Sequence, residues 1–150
     1  MPIINEWKER DIKNGRIPKE QLEVLGDKWK PNGHNVAMQK DAAKAFRALS
    51  QVFYEKFGVH IRITSERTAY RDFNQQVDIK AQEGNLAATP GQSPHGWGLS
   101  FDASNIGNFS SERQNWIQEN AINYGFARSA GLQNKGESWH LDFVLSVWDK

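Results

Sequence analysis

An α+β fold, with a small, mainly antiparallel sheet flanked by helices, is what this sequence predicts. Helical and strand-like periodicities follow one another along its 150 residues without the regular strand–helix–strand alternation of a parallel sheet. The strand candidates are short, and each places its apolar residues at every second position, as a half-buried strand does. Composition agrees with one globular domain spanning residues 1–150: 38% of residues are hydrophobic and 25% charged, and the 6 Trp, 8 Phe and 3 Tyr suffice to fill a core.

In chain order, residues 1–35 read as an N-terminal helical cap on a core of residues 36–150. A short helix is expected around Trp7, a stop at Asn14-Gly15, and a second short segment after Pro18. "GDKWKPNGHN" reads as loop from its Gly, Pro and Asn content. Residues 37–57 carry the strongest helical signal: Ala42, Ala45, Phe46, Leu49, Val52, Phe53 and Phe57 recur at three- and four-residue spacing, and Gly58 stands where a C-terminal stop belongs. "VHIRIT" alternates Val59, Ile61 and Ile63 as a strand. A weaker helix is expected from Asp72 to about Ala81. A long polar loop then leads into "LSFDA", a strand with Leu99, Phe101 and Ala103 on one side. Ser110 or Ser111 is placed to cap a helix running to Tyr124 and ending at Gly125, and a last strand is expected from about His140 to Val147.

Charge and composition narrow the function. With 19 basic and 18 acidic residues interspersed, there is no basic stripe for nucleic acid and no tract for an anionic membrane surface. The absence of cysteine excludes disulfides, thiolate metal sites and a cysteine nucleophile. No stretch approaches the ~20 apolar residues of a membrane span. "MPIINEWKERDIKNGRIP" carries charge where a signal peptide needs an apolar run, so synthesis in the cytoplasm without a signal peptide is expected.

Two stretches concentrate the chemistry: "SPHGWGLSFD", residues 93–102, and "ESWHLDF", which begins at Glu137. A catalytic zinc site takes three protein ligands from His and Asp or Glu and leaves one position for water. His95, Asp102 and His140 would supply such a set, with glycines allowing a loop and a strand to converge. Glu137 precedes His140 by three residues, and in a regular strand the two would face opposite sides. To act at the same site, Glu137 must therefore sit on the bend leading into the strand. There it would not ligate the metal but would take a proton from the zinc-bound water. The plainer reading of a histidine near a carboxylate is a structural hydrogen-bonded pair. A serine hydrolase built on Ser93, His95 and Asp102 is disfavoured, because a nucleophile elbow needs glycine two places either side of the serine and His95 fills one of them. His34 and His60 read as surface or structural residues, and Trp97 and Trp139 as walls or supports.

These motifs resemble a known family. "SPHGWGLSFD" is similar to the S-x-H-x-x-G-x-A-x-D signature of the D-alanyl-D-alanine carboxypeptidase (VanY-like) zinc peptidases, and "ESWH" to their E-x-W-H signature. "TAYRDFNQQ" resembles their S-[GA]-Y-R segment, followed a few residues later by glutamine. Together the matches span roughly residues 59–143, and Thr68 and Ser100 depart from the usual serine and alanine. The resemblance implies the fold shared by Hedgehog and D-Ala-D-Ala peptidases, and one catalytic Zn²⁺ held by His95, Asp102 and His140. It implies Glu137 as base, Arg71 as a catalytic group that binds substrate or stabilises the oxyanion, and Ser93 as a shaping hydrogen-bond partner. Trp139 and Asp142 are expected to contact substrate or to support the ligands.

The implied activity is hydrolysis of a peptide bond in the peptidoglycan stem peptide, by an L-alanyl-D-glutamate endopeptidase or a D,D-carboxypeptidase. Chain size, the N-terminus and the "NGRIP" opening resemble phage endolysins, which are made in the host cytoplasm and act on the bacterial cell wall. The partners expected are stem peptides, with neither nucleic acid nor membrane insertion, and a monomer is expected. The alternative is a catalytically silent zinc-binding protein of the same fold, serving in wall binding or as a phage structural part.

Overall fold

A computed structural model describes residues 2–128 and 136–144. The chain opens with helix α1 (Pro2–Glu9), whose Ile3 and Trp7 are buried. Strands β1 (Leu22–Val24) and β2 (Ala37–Gln39) form an antiparallel pair, with Leu22 opposite Gln39. Helices α2 (Lys40–Phe57), α3 (Phe73–Glu83) and α4 (Glu112–Asn120) follow. Strands β3 (Ser100–Asp102), β4 (Phe126–Ala127) and β5 (His140–Phe143) make a second antiparallel sheet in the order β3-β5-β4. Mixed helices and small antiparallel sheets are thus the architecture the sequence predicts.

Helix α2 is the frame of the core. Its Ala42, Ala45, Phe46, Leu49 and Phe53 are fully buried. Phe46 meets Phe101 of β3 edge-on at 4.9 Å between ring centroids, and Phe126 and Phe143 continue the contact at 5.2 and 5.3 Å. Such pairs add about 0.5–1.5 kcal/mol beyond their area burial. The helix begins at Lys40 rather than Ala37 because residues 37–39 are spent on pairing with β1. Gln39 then caps it, its Oε1 accepting from Asp41 N and Ala42 N at 2.9 and 3.0 Å. At the other end Gly58 takes the left-handed conformation, φ 76°.

Residues 2–35 are helical over α1 and otherwise only in short 3₁₀ turns, because Asn14-Gly15, Pro18, Gly26 and Pro31 interrupt longer runs. Ile3, Trp7, Ile17, Leu25 and Trp29 pack into the same buried cluster as α2. "VHIRIT" was expected as a strand but contributes one isolated antiparallel bridge, Ile63 to Ala103. Side chains take over its ladder: Ser50 Oγ accepts from Ile61 N and Asn105 Oδ1 accepts from Arg62 N. Ile61 and Ile63 are fully buried, whereas Val59 is exposed.

Asp72 caps α3 in a reciprocal capping box with Gln75. Ser111 caps α4, which tightens to a 3₁₀ turn from Ala121 and ends at Gly125. The expected extension of the last strand to Val147 lies outside the described residues. Among the described residues no helix is long and apolar enough to cross a membrane.

Candidate active site

The site grows out of strand alternation. In β3 and β5 the register sets Ser100 opposite Asp142 and Asp102 opposite His140. Phe101 and Leu141, one position along, turn to the other face and are buried in the core. Two cross-strand polar pairs therefore stand side by side on one face of the sheet. His140 Nδ1 lies 2.7 Å from Asp102 Oδ1, and its Nε2 donates to Asp142 Oδ1 at 2.8 Å. Ser100 Oγ donates to that same Asp142 oxygen at 2.5 Å.

The third member arrives on the loop before β3. Ser93 caps a 3₁₀ turn over Pro94–Trp97 by accepting from His95 N. His95 Nδ1 donates to the Ala69 carbonyl at 3.0 Å, so Nε2 is the nitrogen turned to Asp102, 3.3 Å from Oδ1. One ligand atom from each of His95, Asp102 and His140 falls within 4.8 Å of the others.

These donors fit a zinc ion. Edges of a tetrahedron built on ~2.0–2.1 Å bonds are roughly 3.3 Å long, the separation of His95 Nε2 from Asp102 Oδ1, while His140 Nδ1 stands closer to that oxygen, at 2.7 Å. Each imidazole also has its other nitrogen already committed, His95 to a carbonyl and His140 to a carboxylate, which fixes the ring and the tautomer as metal-binding histidines require. Without metal, the site is an ion pair. Burial would raise the Asp102 pKa, but hydrogen bonds from His140 and His95 overrule it and hold the carboxylate well below its ordinary value. Burial would likewise lower His140, yet Asp102 and Asp142 push it up to about 9. Asp142 is shifted down despite its burial, by the His140 hydrogen bond and charge and by Ser100.

A cleft of about 340 Å³ opens over these groups, lined also by Arg71, Ser93 and Glu137. Glu137 sits in the turn that enters β5, with its carbonyl accepting from His140 N at 3.3 Å, so the bend required for it to face the ligands is present. Gln114 and Arg128 both donate to the Ser138 carbonyl and hold that turn. Arg71 Nε donates to Arg67 O at 2.8 Å and Nη1 lies 3.4 Å from Ser93 Oγ, which aims the guanidinium along the cleft. Trp139 is 44% exposed and is not among the cleft-lining residues, although its carbonyl accepts from Ala103 N. Trp97 packs against the core, and its carbonyl accepts from Trp7 Nε1. His34 pairs with Glu66 on the surface, and His60 bonds Ser50 Oγ, both away from the cleft. A larger cavity of about 510 Å³, lined by Phe109, Ile117, Phe126 and Arg128 among others, holds none of the site residues expected from the sequence.

Ser100, which departs from the alanine usual in the family signature, bonds its hydroxyl to the carboxylate that orients His140, a pairing signalled by the S-F-D and H-L-D alternation. Two carboxamides have a role the sequence does not announce: Asn14, read as part of a helix stop, and Gln76, in the glutamine-bearing segment "TAYRDFNQQ", are both buried beneath the loop that carries Ser93 and His95.

Residues 35–146 match the VanY family, described as D-alanyl-D-alanine carboxypeptidase. A D-alanyl-D-alanine carboxypeptidase of Enterococcus faecium is 31% identical over 124 residues, which is 73% of this chain. The chain spans only 38% of that protein's length. Among solved structures, the LD-carboxypeptidase LdcB superposes with a TM-score of 0.65 at 23% identity, covering 89% of this chain and 72% of LdcB. The vancomycin-resistance D,D-pentapeptidase VanY, solved in complex with Zn(II), superposes with a TM-score of 0.59 at 20% identity, covering 86% of this chain and 83% of its own. The fold is that of these peptidases, and the chain belongs to the VanY D-alanyl-D-alanine carboxypeptidase family.

Proposed function

We propose that this protein is a zinc-dependent peptidase that hydrolyses a peptide bond in the peptidoglycan stem peptide. The observation that carries the reading is the set of His95, Asp102 and His140 with both histidine rings fixed from behind, in a cleft that also presents an unligated Glu137. A purely structural metal site has no use for that carboxylate. The family's description and the zinc in the VanY structure support the same assignment.

When bound, zinc supplies a Lewis acid that lowers the pKa of a water from 15.7 towards ~7 and polarises the scissile carbonyl. The chain's own residues do the rest. Glu137 accepts the proton of the attacking water at its carboxylate and returns it to the leaving amine, help typically worth ~10²–10⁴ in rate. Arg71, pinned through Nε and Nη1, keeps Nη2 without a hydrogen bond among the described residues, to meet a substrate carboxylate or the developing oxyanion. Ser93 holds both the Arg71 guanidinium and the His95 backbone, tying the substrate-binding cation to a ligand. Asp142, backed by Ser100, keeps the His140 ring turned towards Asp102.

The finer assignment belongs to the same proposal: a phage lysin cutting either the L-alanyl-D-glutamate or a D,D bond, a role supported by the resemblance of the "NGRIP" opening to lysins. Turbidity of purified cell walls tests both levels. Lysis that stops with chelator and returns with zinc is the expected result, and mass spectrometry of the released fragments identifies the bond. No cleavage of any wall type by the zinc-loaded protein would overturn the reading in favour of a silent binding protein.

A further inference from the structure

The family match begins at residue 35, yet two residues well before it reach under the site. Asn14 is 5% exposed, and its side chain is fully engaged: Nδ2 donates to the Ser93 carbonyl at 2.8 Å and Oδ1 accepts from Gln76 Nε2 at 3.1 Å. Gln76, 3% exposed, also donates to the Arg71 carbonyl at 3.1 Å and accepts from Gly91 N at 2.8 Å. The backbone of Gly15 repeats the pattern, with its N–H donating to Gly96 O at 2.8 Å and its carbonyl accepting from Phe73 N at 2.9 Å.

Two residues thus stitch together the loop bearing Ser93 and His95 and the segment bearing Arg71. The packing leaves no slack. A Cβ on Gly96 would stand 1.9 Å from Asn14 Oδ1, and one on Gly15 would stand 2.9 Å from Phe73 N. Buried amides in a water-poor place hold their geometry tightly, because each lost partner leaves a desolvated group unpaired.

We infer that Asn14 and Gly15 are positioning residues: together with Gln76 they set the spacing between the Arg71 guanidinium and the His95 ligand. Neither touches substrate or metal, and neither lines the cleft. The inference rests on the zinc-peptidase reading for its kinetic consequence, but its metal consequence is independent of turnover.

Asn14→Asp is the sharpest test. It is isosteric and keeps the acceptor for Gln76, but sets a carboxylate oxygen against the Ser93 carbonyl. Zinc affinity is measured by competition with a chromogenic chelator well below the melting temperature, and KM and kcat on soluble stem-peptide fragments. Altered support of a metal ligand typically costs 10–100-fold in affinity. For Asn14, one bond further from the metal, a loss of roughly tenfold is expected, with KM raised several-fold through Arg71. Ile117→Val in α4, a core truncation away from the site, controls for stability: it lowers the melting temperature and leaves zinc affinity unchanged. If Asn14→Asp fails to fold, Asn14→Ser carries the same readouts.

A variant whose zinc affinity and KM stay within twofold of wild type, whatever its melting temperature, would overturn the inference. A wild-type protein that binds zinc but cleaves nothing would overturn the peptidase reading alone, and the zinc comparison would still decide the role of Asn14.

Discussion

Replacing Asp142 by Asn isolates one charge. Asp142 is 3% exposed, and a single oxygen, Oδ1, accepts from both His140 Nε2 and Ser100 Oγ. An asparagine with its carbonyl in that position keeps both hydrogen bonds and the side-chain shape, so the variant loses only the negative charge behind the His140 ring. Carboxylate support of this kind makes the ligating nitrogen a better donor, and its removal typically costs 10–100-fold in metal affinity, about 1.4–2.7 kcal/mol. Proton competition works against that loss. In the metal-free protein Asp102 and Asp142 push the His140 pKa up to about 9, so near neutral pH zinc must displace a proton. The Asn variant releases that proton more readily, and part of its deficit disappears near neutrality. The full loss is therefore expected above about pH 9, with a smaller one near pH 7, in chelator-buffered zinc titrations. At saturating zinc the melting temperature should fall by about 3–10 °C relative to wild type, from the usual 2–4 °C per kcal/mol at this size. Unchanged zinc affinity above pH 9 in a folded Asp142→Asn protein would refute the claim that this carboxylate supports the ligand.

Other substitutions separate the roles around the cleft. Glu137→Ala should retain zinc, as measured by metal content after dialysis, while losing about 10²–10⁴ in turnover; near-normal wall lysis would rule out Glu137 as the base. His140→Ala should lose both metal and activity. Zinc binding near neutral pH should release about one proton, seen by calorimetry in two buffers of different ionisation enthalpy; no buffer dependence would contradict a protonated His140. The sign for folding follows from the raised pKa: in the metal-free protein His140 contributes stability that is complete below its ordinary value of 6.5 and lost as the pH rises through about 9. Gly96→Ala, whose Cβ would meet Asn14 Oδ1 at 1.9 Å, should destabilise the protein by about 3 kcal/mol in urea unfolding, and an effect near zero would mean that the loop has room to move.

Much of this arrangement was legible before any coordinates, because its parts are encoded by short-range rules. The spacing of Phe46, Leu49 and Phe53 identifies the buried face of α2, and Gly58 its end. The alternation in "LSFDA" separates Leu99, Phe101 and Ala103 from Ser100 and Asp102, and the placement of Glu137 on a bend follows from its three-residue offset from His140. What was illegible depends on contacts distant in sequence. Nothing local in "VHIRIT" says that Ser50 and Asn105 side chains will occupy its backbone amides. Asn14-Gly15 reads locally as a helix stop, but α1 already ends at Glu9 and Asn14-Gly15 forms a separate turn, whose bonds to residues 73, 76, 93 and 96 arise only after the chain has closed on itself. The start of α2 was misplaced by three residues for the same reason, since pairing with β1 competes with helix there.

The close sharing of β3 and β5 between the ligands and the apolar interior constrains how this chain can change. Ser100, Asp102, His140 and Asp142 look one way, and Phe101 and Leu141 the other, with a period of two. Inserting or deleting one residue in either strand would carry a phenylalanine or leucine to the candidate metal site and an aspartate or histidine into the hydrocarbon interior. A point substitution at His140 leaves this alternation in place; a single-codon insertion in these strands does not. Descendants that have given up chemistry should therefore keep these strands at constant length, and length variation should accumulate instead in the exposed stretch around Leu86, which is 90% exposed at the rim of the cleft.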